Sequence, residues 1–476
     1  MQPPSRFGDN GTMTGPSKPN AISNNAVVRE KNHAPQDCSV ALLGFGTVGS
    51  SVARILCERS NTHLRLTHVL NRNVTRKKVD WLPPSVHWTE NIDDVLSSHV
   101  DIVVEVMGGF QPTEDWIRRA LESGKSVVTA NKQVIAHCGP ELIGLAQRMK
   151  QQIGFGASVA GGVPVISGLQ EGLAGDELFK ICGILNGTCN YILSQIETNG
   201  ISFASALREA QKLGFAEADP TEDIDGLDAR AKLAILARVG LRCNVRPESI
   251  VARSIAAVDS IDFEYAIQLG CTIRQISWAE LRTELETKSE TTSRGDNLFA
   301  AVRPALVELT SPLARVEGGQ NLVMATGTYG GETVFGGHGA GGHPTAVAVV
   351  SDILAIARSK QTWTNAAQPV ERTPIVTADF TTRHYLRFLV KDRPGIIARL
   401  ATILSQHAIN VDAVLQKPDC PKSRLPFVIT LEECNASQVE QALKQINSLD
   451  FLVQPCLHLP ILPGEELNSW ARKPQR

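Results

Sequence analysis

Long apolar runs are missing from this chain of 476 residues. No stretch reaches the roughly 18 to 20 apolar residues that span a bilayer, and the first residues lack the charged-then-apolar order of a secretory signal. An excess of one charge is missing too, because 47 Lys and Arg stand against 49 Asp and Glu, without a basic stripe. We therefore expect a soluble cytoplasmic protein that binds neither membranes nor nucleic acid.

Closely spaced cysteine pairs are also missing. The 10 cysteines are scattered without a CxxC or CxxxxC pair, which argues against a zinc site and against a disulfide framework. We expect them to be reduced thiols. With 42% hydrophobic residues, the chain is long enough to bury a large core in two or three domains.

The first half of the chain contains an abrupt change of pattern. Residues 1–36 are rich in Asn, Ser, Pro and Gly and show no apolar period, which predicts a disordered tail. Residues 37–155 alternate β-branched runs with helical segments, which predicts a Rossmann-type, doubly wound parallel sheet, completed by about residues 335–360. Residues 156–334 are less regular and predict a mixed α+β catalytic and dimerisation domain.

The C-terminal part reads as a separate small unit. We interpret residues 361–379 as a linker. Residues 380–462 then give the order strand, helix, strand, strand, helix, strand, which predicts a ferredoxin-like βαββαβ sandwich.

A glycine motif follows the first predicted strand, in CSVALLGFGTVGSSVARILCER. Its first glycine permits a tight turn, the second lets the backbone approach a pyrophosphate, and the third allows close helix packing. The helix that follows would direct its N-terminus at the anion. The motif alone is weak, but its strand and helix context predicts dinucleotide binding by Gly44, Phe45, Gly46, Thr47, Val48 and Gly49.

Cations follow the second predicted strand, where an NAD-binding protein would place an acidic residue. Arg72 stands there, with Arg76, Lys77 and Lys78 close behind. Positive charge suits a 2′-phosphate, so we expect NADP(H) to be preferred, with NAD(H) as the alternative. These residues are equally compatible with a solvated surface.

Residues 214–232, GFAEADPTEDIDGLDARAK, concentrate carboxylates and end on a lysine. The DIDG core resembles a calcium loop, but that register puts Lys232 where a bidentate Glu must sit, which excludes calcium. Two other interpretations remain open. The stretch can be a solvated loop, and Asp228 and Lys232, at i and i+4, can be an ordinary helical ion pair.

The same stretch resembles a signature of the homoserine dehydrogenase family. Further blocks resemble that family in order between residues 38 and 360: LLGFGTVG, VVEVMGG, TANK, ASVAGGVP, GILNGTCNYIL and GHGAGGHPTAVAVVSDI. The C-terminal DRPG unit resembles an ACT domain, a module that senses ligands. The resemblance implies reversible reduction of L-aspartate 4-semialdehyde to L-homoserine in threonine, methionine and isoleucine biosynthesis.

The resemblance also implies roles for individual side chains. Lys232 would donate the proton, and Lys132, between nicotinamide and substrate, would share the catalytic work. Glu217 and Asp228 would hold the substrate ammonium, with Asp223 as a supporting contact. Gly341, in the glycine-rich segment 339–342, would close over the cofactor. Two rival readings are another ACT-tailed dehydrogenase and a catalytically inactive amino-acid sensor.

A monovalent cation, Na⁺ or K⁺, is implied at ASVAGGVP. Backbone carbonyls would hold it, and the matching positions are Gly156, Val159, Gly161 and Val163. Gly156 stands where the family often has glutamate, a change that a backbone ligand tolerates. The alternative is a glycine turn without an ion. His338 and His343 lack nearby Cys or carboxylate partners, so we predict no transition-metal site.

The ACT-like unit implies an amino-acid effector, for which threonine is the hypothesis. Such modules pair between chains and bind amino acids at their interface, so we expect a homodimer or homotetramer. The candidate effector residues are Asp392, Arg393, Gly395 and Asn410.

Overall fold

The structure is a computed structural model and describes residues 37–59, 63–282, 297–359, 372–418 and 420–462. The tail predicted for residues 1–36 and most of the predicted linker lie outside the described residues. Within the described ranges, no helix is both long and apolar enough to cross a bilayer.

The N-terminal part is a six-stranded sheet in which every pairing is parallel. Its strand order is β3-β2-β1-β4-β5-β6, so the chain reverses direction across the sheet between β1 and β4. Ligands of open parallel sheets bind at the carboxyl ends of the strands beside such a reversal. The elements are β1 (Cys38–Leu43), α1 (Thr47–Glu58), β2 (Leu64–Leu70), α2 (Val74–Lys77), β3 (His87–Thr89), α3 (Ile92–Leu96), β4 (Ile102–Glu105), α4 (Thr113–Glu122), β5 (Ser126–Thr129), α5 (Lys132–Arg148) and β6 (Ile153–Gly154).

The middle part builds most of a second, mixed sheet. Long antiparallel strands form it, and the helix that carries the end of the acidic stretch packs against them. The elements are α6 (Val165–Ser167), β7 (Leu178–Ile184), α7 (Gly187–Asn199), α8 (Phe203–Leu213), α9 (Thr221–Ile224), α10 (Leu227–Leu241), β8 (Val251–Ala252), α11 (Ser260–Gln268), β9 (Cys271–Arg282), β10 (Asn297–Glu308), β11 (Gln320–Gly327) and β12 (Gly331–His338).

The chain then returns to the first sheet through α12 (Gly342–Ser359). The buried face of α12, which includes Val349 and Ile353, packs in one cluster with Val40 of β1 and Val52 of α1. Burial of this apolar face against β1 and α1 stabilises the position of the helix on the sheet.

The C-terminal part has the predicted βαββαβ order. The short strand β13 (Ile375–Thr377) precedes this unit, within the residues predicted to be a linker, and pairs with β10. The unit itself consists of β14 (Thr381–Val390), α13 (Ile396–Gln406), β15 (Val411–Gln416), β16 (Leu425–Asn435), α14 (Ala436–Ile446) and β17 (Leu457–Ile461). Strand β17 lies between β14 and β10, with Ile461 opposite Leu306, so the second sheet runs continuously into this unit. The predicted fold class is confirmed.

Candidate active site

The glycine turn after β1 has the geometry that the motif predicts. Gly44 has φ +101°, and a Cβ there would lie 3.0 Å from the Val106 carbonyl oxygen. A Cβ on Gly49 would lie 2.1 Å from the Gly44 carbonyl oxygen, so only glycine lets α1 approach the turn. Gly46, by contrast, faces open space. The turn is closed on the protein side and open where a pyrophosphate would lie.

The residues next to these glycines have different surroundings. Phe45 is buried, and its ring packs edge-on against Trp88 with centroids 4.9 Å apart. Thr47 and Val48 form the first turn of α1. Gly341 has φ +123°, and a Cβ on the next residue, Gly342, would lie 3.1 Å from the Thr47 carbonyl oxygen. The glycine-rich segment before α12 therefore meets the start of α1.

Arg72 lies just beyond the carboxyl end of β2, the strand beside β1. Its side chain is exposed, as are those of Arg76, Lys77 and Lys78. The adjacent Asn71 backbone N–H donates to the Thr89 carbonyl oxygen at 3.1 Å, which fixes the exit of β2. The cations therefore sit on the same edge of the sheet as the glycine turn.

The two predicted lysines converge on one carboxylate. Lys132, the first residue of α5, places Nζ 3.0 Å from Asp228 Oδ1. Lys232, on α10, places Nζ 2.8 Å from Asp228 Oδ2 and donates to the Leu185 carbonyl oxygen, also at 2.8 Å. The ion pair of Asp228 with Lys232 is thus one part of a cluster built by separate elements.

Asp228 is 6% exposed. Burial alone would raise the pKa of its carboxyl, but the Lys232 and Lys132 ammonium groups hold that pKa well below its usual range. For Lys132, burial would lower the pKa, yet attraction to Asp228 outweighs it and the pKa is raised. The cluster therefore keeps Asp228 ionised and Lys132 protonated at neutral pH.

Asn186 is a central residue that our site prediction missed. Its amide Nδ2 donates to Asp223 Oδ1 at 2.6 Å and to Asp228 Oδ2 at 2.9 Å. Its Oδ1 accepts from the Cys189 backbone N–H at 2.8 Å and so caps α7. The sequence signal for Asn186 was its position directly before a helical segment in NGTCNY, which indicates a helix cap. Its contacts with the carboxylates had no such signal, because those carboxylates lie in a distant part of the chain.

The acidic stretch contributes unequally. Asp223 is half-buried, burial raises the pKa of its carboxyl, and its carbonyl oxygen accepts from Cys189 Sγ at 3.0 Å. Glu217 is exposed, and its backbone carbonyl accepts from Gln211 Nε2 at 3.1 Å. Across the described residues, the Glu217 carboxylate makes no bond to the Asp228 cluster. The structure therefore joins Asp223, but not Glu217, to the lysines.

Glu105 is a second residue that our prediction missed. It ends β4 fully buried, and its carboxylate accepts from Thr129 Oγ1 at 2.5 Å and from the Met107 backbone N–H at 2.7 Å. Burial raises the pKa of this carboxyl. Glu105 thereby ties the VMGG turn to the end of β5, three residues before Lys132.

The four candidate cation ligands lie in one bend. A short 3₁₀ turn begins at Gly156, and the bend continues through the left-handed Ala160 and Gly161, with φ +55° and +50°. Asp352 of α12 accepts from the Gly156 N–H at 2.7 Å, and its carboxylate lies 2.9 Å from where a Cβ on Gly156 would be. Burial raises the pKa of Asp352 to about 6. A carboxylate from another element thus fills the space beside Gly156.

The four candidate effector residues do not form one group. Asp392, Arg393 and Gly395 lie in the exposed turn before α13, where Arg393 pairs with Asp450. Asn410 follows α13 and donates to Glu432 Oε2 at 3.0 Å. The turn and Asn410 are therefore at opposite ends of α13, roughly 16 Å apart at 1.5 Å per residue.

A glycine-rich turn at the switch point of a parallel sheet, with two lysines and a carboxylate near the same edge, defines a nicotinamide-dependent dehydrogenase. Family profiles match on residues 44–155 as "Homoserine dehydrogenase, NAD binding domain", on 164–354 as "Homoserine dehydrogenase" and on 384–451 as "ACT domain". Curated relatives and solved structures agree with these matches.

The homoserine dehydrogenase of Bacillus subtilis is 34% identical over 86% of this chain and 95% of its own length. That of Mycobacterium tuberculosis is 39% identical over 79% of this chain and 86% of its own. The crystal structure of a homoserine dehydrogenase from Thiobacillus denitrificans superposes with a TM-score of 0.79, 31% identity, and coverage of 89% of this chain and 98% of that one. The chain therefore belongs to the homoserine dehydrogenase family and is an oxidoreductase acting on a CH–OH group. The resemblance and the enzyme class expected from the sequence are confirmed.

Proposed function

We propose that this enzyme interconverts L-aspartate 4-semialdehyde and L-homoserine, with NADP(H) as the preferred cofactor, in threonine, methionine and isoleucine biosynthesis. The observation that carries the proposal is the convergence of Lys132 and Lys232 on Asp228. An isolated surface ion pair needs one lysine. Two lysines, one from the dinucleotide-binding sheet and one from the second part, suit a reaction at the boundary between cofactor and substrate.

When bound, the nicotinamide supplies the hydride. In the reductive direction, the Lys232 ammonium donates a proton to the oxygen on which negative charge develops, and in the oxidative direction the neutral amine accepts it. Asp228 and the Leu185 carbonyl hold Nζ of Lys232 from two sides, so the ammonium needs little reorganisation. Lys132 adds a second positive charge beside the same oxygen.

Carboxylates supply the site for the substrate ammonium. Asp228 already accepts from Lys132, Lys232 and Asn186, which leaves about one of its four acceptor positions. Asp223 has fewer partners, because its carboxylate is hydrogen-bonded only by the Asn186 and Thr188 side chains among the described residues, and Glu217 is exposed at the rim. We assign Asp223 as the principal partner of the ammonium, with Asp228 and Glu217 as further contacts.

The residues present fit a dinucleotide. Gly46 leaves open space where Gly44 and Gly49 do not, and the N-terminus of α1 follows directly. Arg72 supports NADP(H) over the alternative, NAD(H), because its charge complements a 2′-phosphate. One solved relative, a hyperthermophilic archaeal homoserine dehydrogenase, is in complex with NADPH; it is 26% identical, with a TM-score of 0.56, and covers 69% of this chain and 99% of its own.

A monovalent cation fits the bend at Gly156, Val159, Gly161 and Val163. The Asp352 carboxylate accepts from the Gly156 backbone N–H and so adds negative charge to this bend, which favours a cation. A thermal midpoint that rises with Na⁺ or K⁺ at constant ionic strength, but not in Asp352→Ala, would support this site. An equal rise in the thermal midpoints of wild type and Asp352→Ala would contradict a cation site at this bend.

The effector and assembly proposals rest on the ACT unit. Because the 392–395 turn and Asn410 lie at opposite ends of α13, a site that uses both requires a second copy, so we propose a homodimer or homotetramer that binds threonine between these units. Light scattering gives the assembly, and inhibition by threonine tests the effector. We place the protein in the cytoplasm, since the cysteines of the sequence are scattered without the closely spaced pairs of a disulfide framework.

The decisive assay follows NADPH absorbance after addition of L-aspartate 4-semialdehyde. Rapid, stoichiometric oxidation of NADPH with formation of homoserine is expected. Turnover only with a 2-hydroxy acid and its keto acid would indicate another dehydrogenase, and binding of amino acids without turnover would indicate a sensor.

A further inference from the structure

The ACT unit and the second part share one fully buried ion pair. Asp262, in the first turn of α11, is 0% exposed, and Arg387, on β14, is 4% exposed. Arg387 Nε lies 2.7 Å from Asp262 Oδ1, and Tyr385 Oη donates to the same oxygen at 2.8 Å. Such a pair is costly to bury unless its geometry is exact, so it marks a place where position matters.

The guanidinium of Arg387 reaches one step further. Its Nη2 donates to the Ala257 carbonyl oxygen at 2.6 Å, within the turn that precedes α11. The other oxygen of Asp262 accepts from the Asp259 backbone N–H at 2.8 Å, closing a capping box. One arginine of the ACT unit therefore fixes both the start of α11 and the turn before it.

That turn contacts the substrate side of the molecule. The Ile255 backbone N–H donates to the Ile224 carbonyl oxygen at 3.1 Å. The Val258 backbone N–H donates to the Ile255 carbonyl oxygen at 3.0 Å. Ile255 and Val258 are buried in one apolar cluster with Ile224, the residue directly after Asp223, and with Tyr385 of β14. The backbone that carries Asp223 is thus held from the ACT side through two hydrogen-bonded steps.

We propose that Arg387 is a positioning residue for the substrate pocket: through Asp262 and the 255–258 turn, it sets the position of Asp223. This inference rests on the proposed role of Asp223 as a contact for the substrate ammonium. It makes the ACT unit a structural component of the pocket in the basal enzyme, independent of any effector.

Arg387→Lys is the sharpest variant, because a lysine keeps the charge beside Asp262 but cannot also reach the Ala257 carbonyl. We expect the KM for homoserine to rise roughly tenfold, since small displacements of a binding group have effects of this size. The KM for NADP⁺ and the circular dichroism spectrum should stay unchanged. Arg383→Met is the matched control, since Arg383 lies on the same strand but makes an exposed pair with Asp412.

A double-mutant cycle of Arg387→Lys with Asp223→Asn separates the possible failures. If Arg387 acts through Asp223, the effects on the KM for homoserine are less than additive, because the second change has little left to displace. Additive effects, or an Arg387→Lys variant with the homoserine KM of wild type, overturn the inference while leaving the Asp223 assignment intact. An unchanged KM in Asp223→Asn alone overturns that assignment and the inference with it. Arg387→Met removes the bonds to both Asp262 and the Ala257 carbonyl, so it should raise the KM for homoserine at least as much as Arg387→Lys, and a wild-type KM in this variant also overturns the inference.

Discussion

Lys132 and Lys232 contact opposite oxygens of the same carboxylate, at 3.0 and 2.8 Å from Asp228. One lysine begins α5 at the edge of the parallel sheet, and the other lies on α10 in the second part. Two positive charges this close would repel each other without the buried carboxylate between them. The arrangement therefore holds a net positive charge at a defined point, while Asp228 offsets the repulsion between the two ammonium groups.

Replacement of Lys232 by alanine should abolish most turnover. Loss of the proton donor is expected to lower kcat by about 10² to 10⁴, while the KM for NADP(H) changes little, because the glycine turn is a separate contact. Steady-state kinetics in both directions measure this effect. Lys212→Ala, on the exposed face of α8, is the control. Near-normal turnover would reduce the Lys232 pair to a structural interaction.

Asn186→Ser separates the two functions of Asn186. Serine is a good helix N-cap, so α7 should keep its start, but serine lacks the amide that donates to Asp223 and Asp228. A hydrogen bond to a charged group contributes about 1.5 to 3 kcal/mol, so we expect kcat/KM for homoserine to fall at least tenfold. Asn199→Ser, at the other end of α7, should match wild type. A fall in both variants would point to helix stability instead.

Gly46→Ala and Gly49→Ala should fail in different ways. At Gly46, a Cβ meets open space in the free protein, so stability should change by less than about 1 kcal/mol while the KM for NADP(H) rises. At Gly49, the Cβ would meet the Gly44 carbonyl, so the protein itself should be destabilised. Thermal midpoints with and without cofactor distinguish the two. If Gly46→Ala binds cofactor normally, the pyrophosphate does not lie over this turn.

Arg72→Asp tests the cofactor preference. The substitution removes the charge expected to meet a 2′-phosphate and supplies an acceptor for a ribose hydroxyl. The ratio of kcat/KM for NADPH to that for NADH should fall at least tenfold, by about 1.4 kcal/mol or more. Lys212→Asp changes charge equally at a remote surface and should leave the ratio unchanged. An unaltered ratio in Arg72→Asp would favour the reading of these cations as solvated surface.

The buried pair His384 and His458 should make stability depend on pH. Nε2 of His384 faces the Cys434 carbonyl oxygen at 3.1 Å and carries the proton, so Nδ1 accepts from His458 Nε2 at 3.0 Å. Burial, with a contribution from Arg303, lowers the pKa of His384 to about 4, and burial also lowers that of His458. The His384 ring is therefore largely neutral in the folded protein at pH 5.

Unfolded histidines titrate near 6.5, so the unfolded state binds the extra protons first as the pH falls. The lowered histidine pKa values therefore contribute to the free energy of unfolding in full above about pH 6.5. This contribution is lost progressively toward pH 4, by roughly 2 to 3 kcal/mol for His384. Urea unfolding between pH 7 and pH 4 measures how steeply the free energy of unfolding falls with pH. His384→Gln should have a shallower slope than wild type, and His99→Gln, which alters an exposed ring, should not. An identical slope in His384→Gln would show that folding does not lower the pKa of His384.

Patterns within short segments predicted much of this molecule. The alternation of strands and helices predicted the parallel sheet, and the glycine motif predicted the tight turn at Gly44 and the close approach of α1 at Gly49. Lys132, Lys232, Asp223 and Asp228 were named from blocks of sequence that resemble the family. Each of these conclusions depended on residues near one another in the chain.

Features that depend on distant segments were missed. Asn186 appeared only as part of a motif, because its partners lie in α9 and α10, and Glu105 appeared only within the VVEVMGG block. Glu217 stands in the same stretch as Asp228 yet is exposed, because the stretch joins the lysine cluster only at α9 and α10, after Glu217. The insertion of β17 beside β10 has no local signature, because pairing partners are chosen by the fold of the whole chain.

The interior position of β17 also bears on how the protein is made. Strand β10 emerges from the ribosome long before residues 457–461, so part of its edge waits without a partner during synthesis. Unpaired edges invite association with other nascent chains. Expression at lower temperature or with added chaperones should therefore improve the soluble yield of this enzyme.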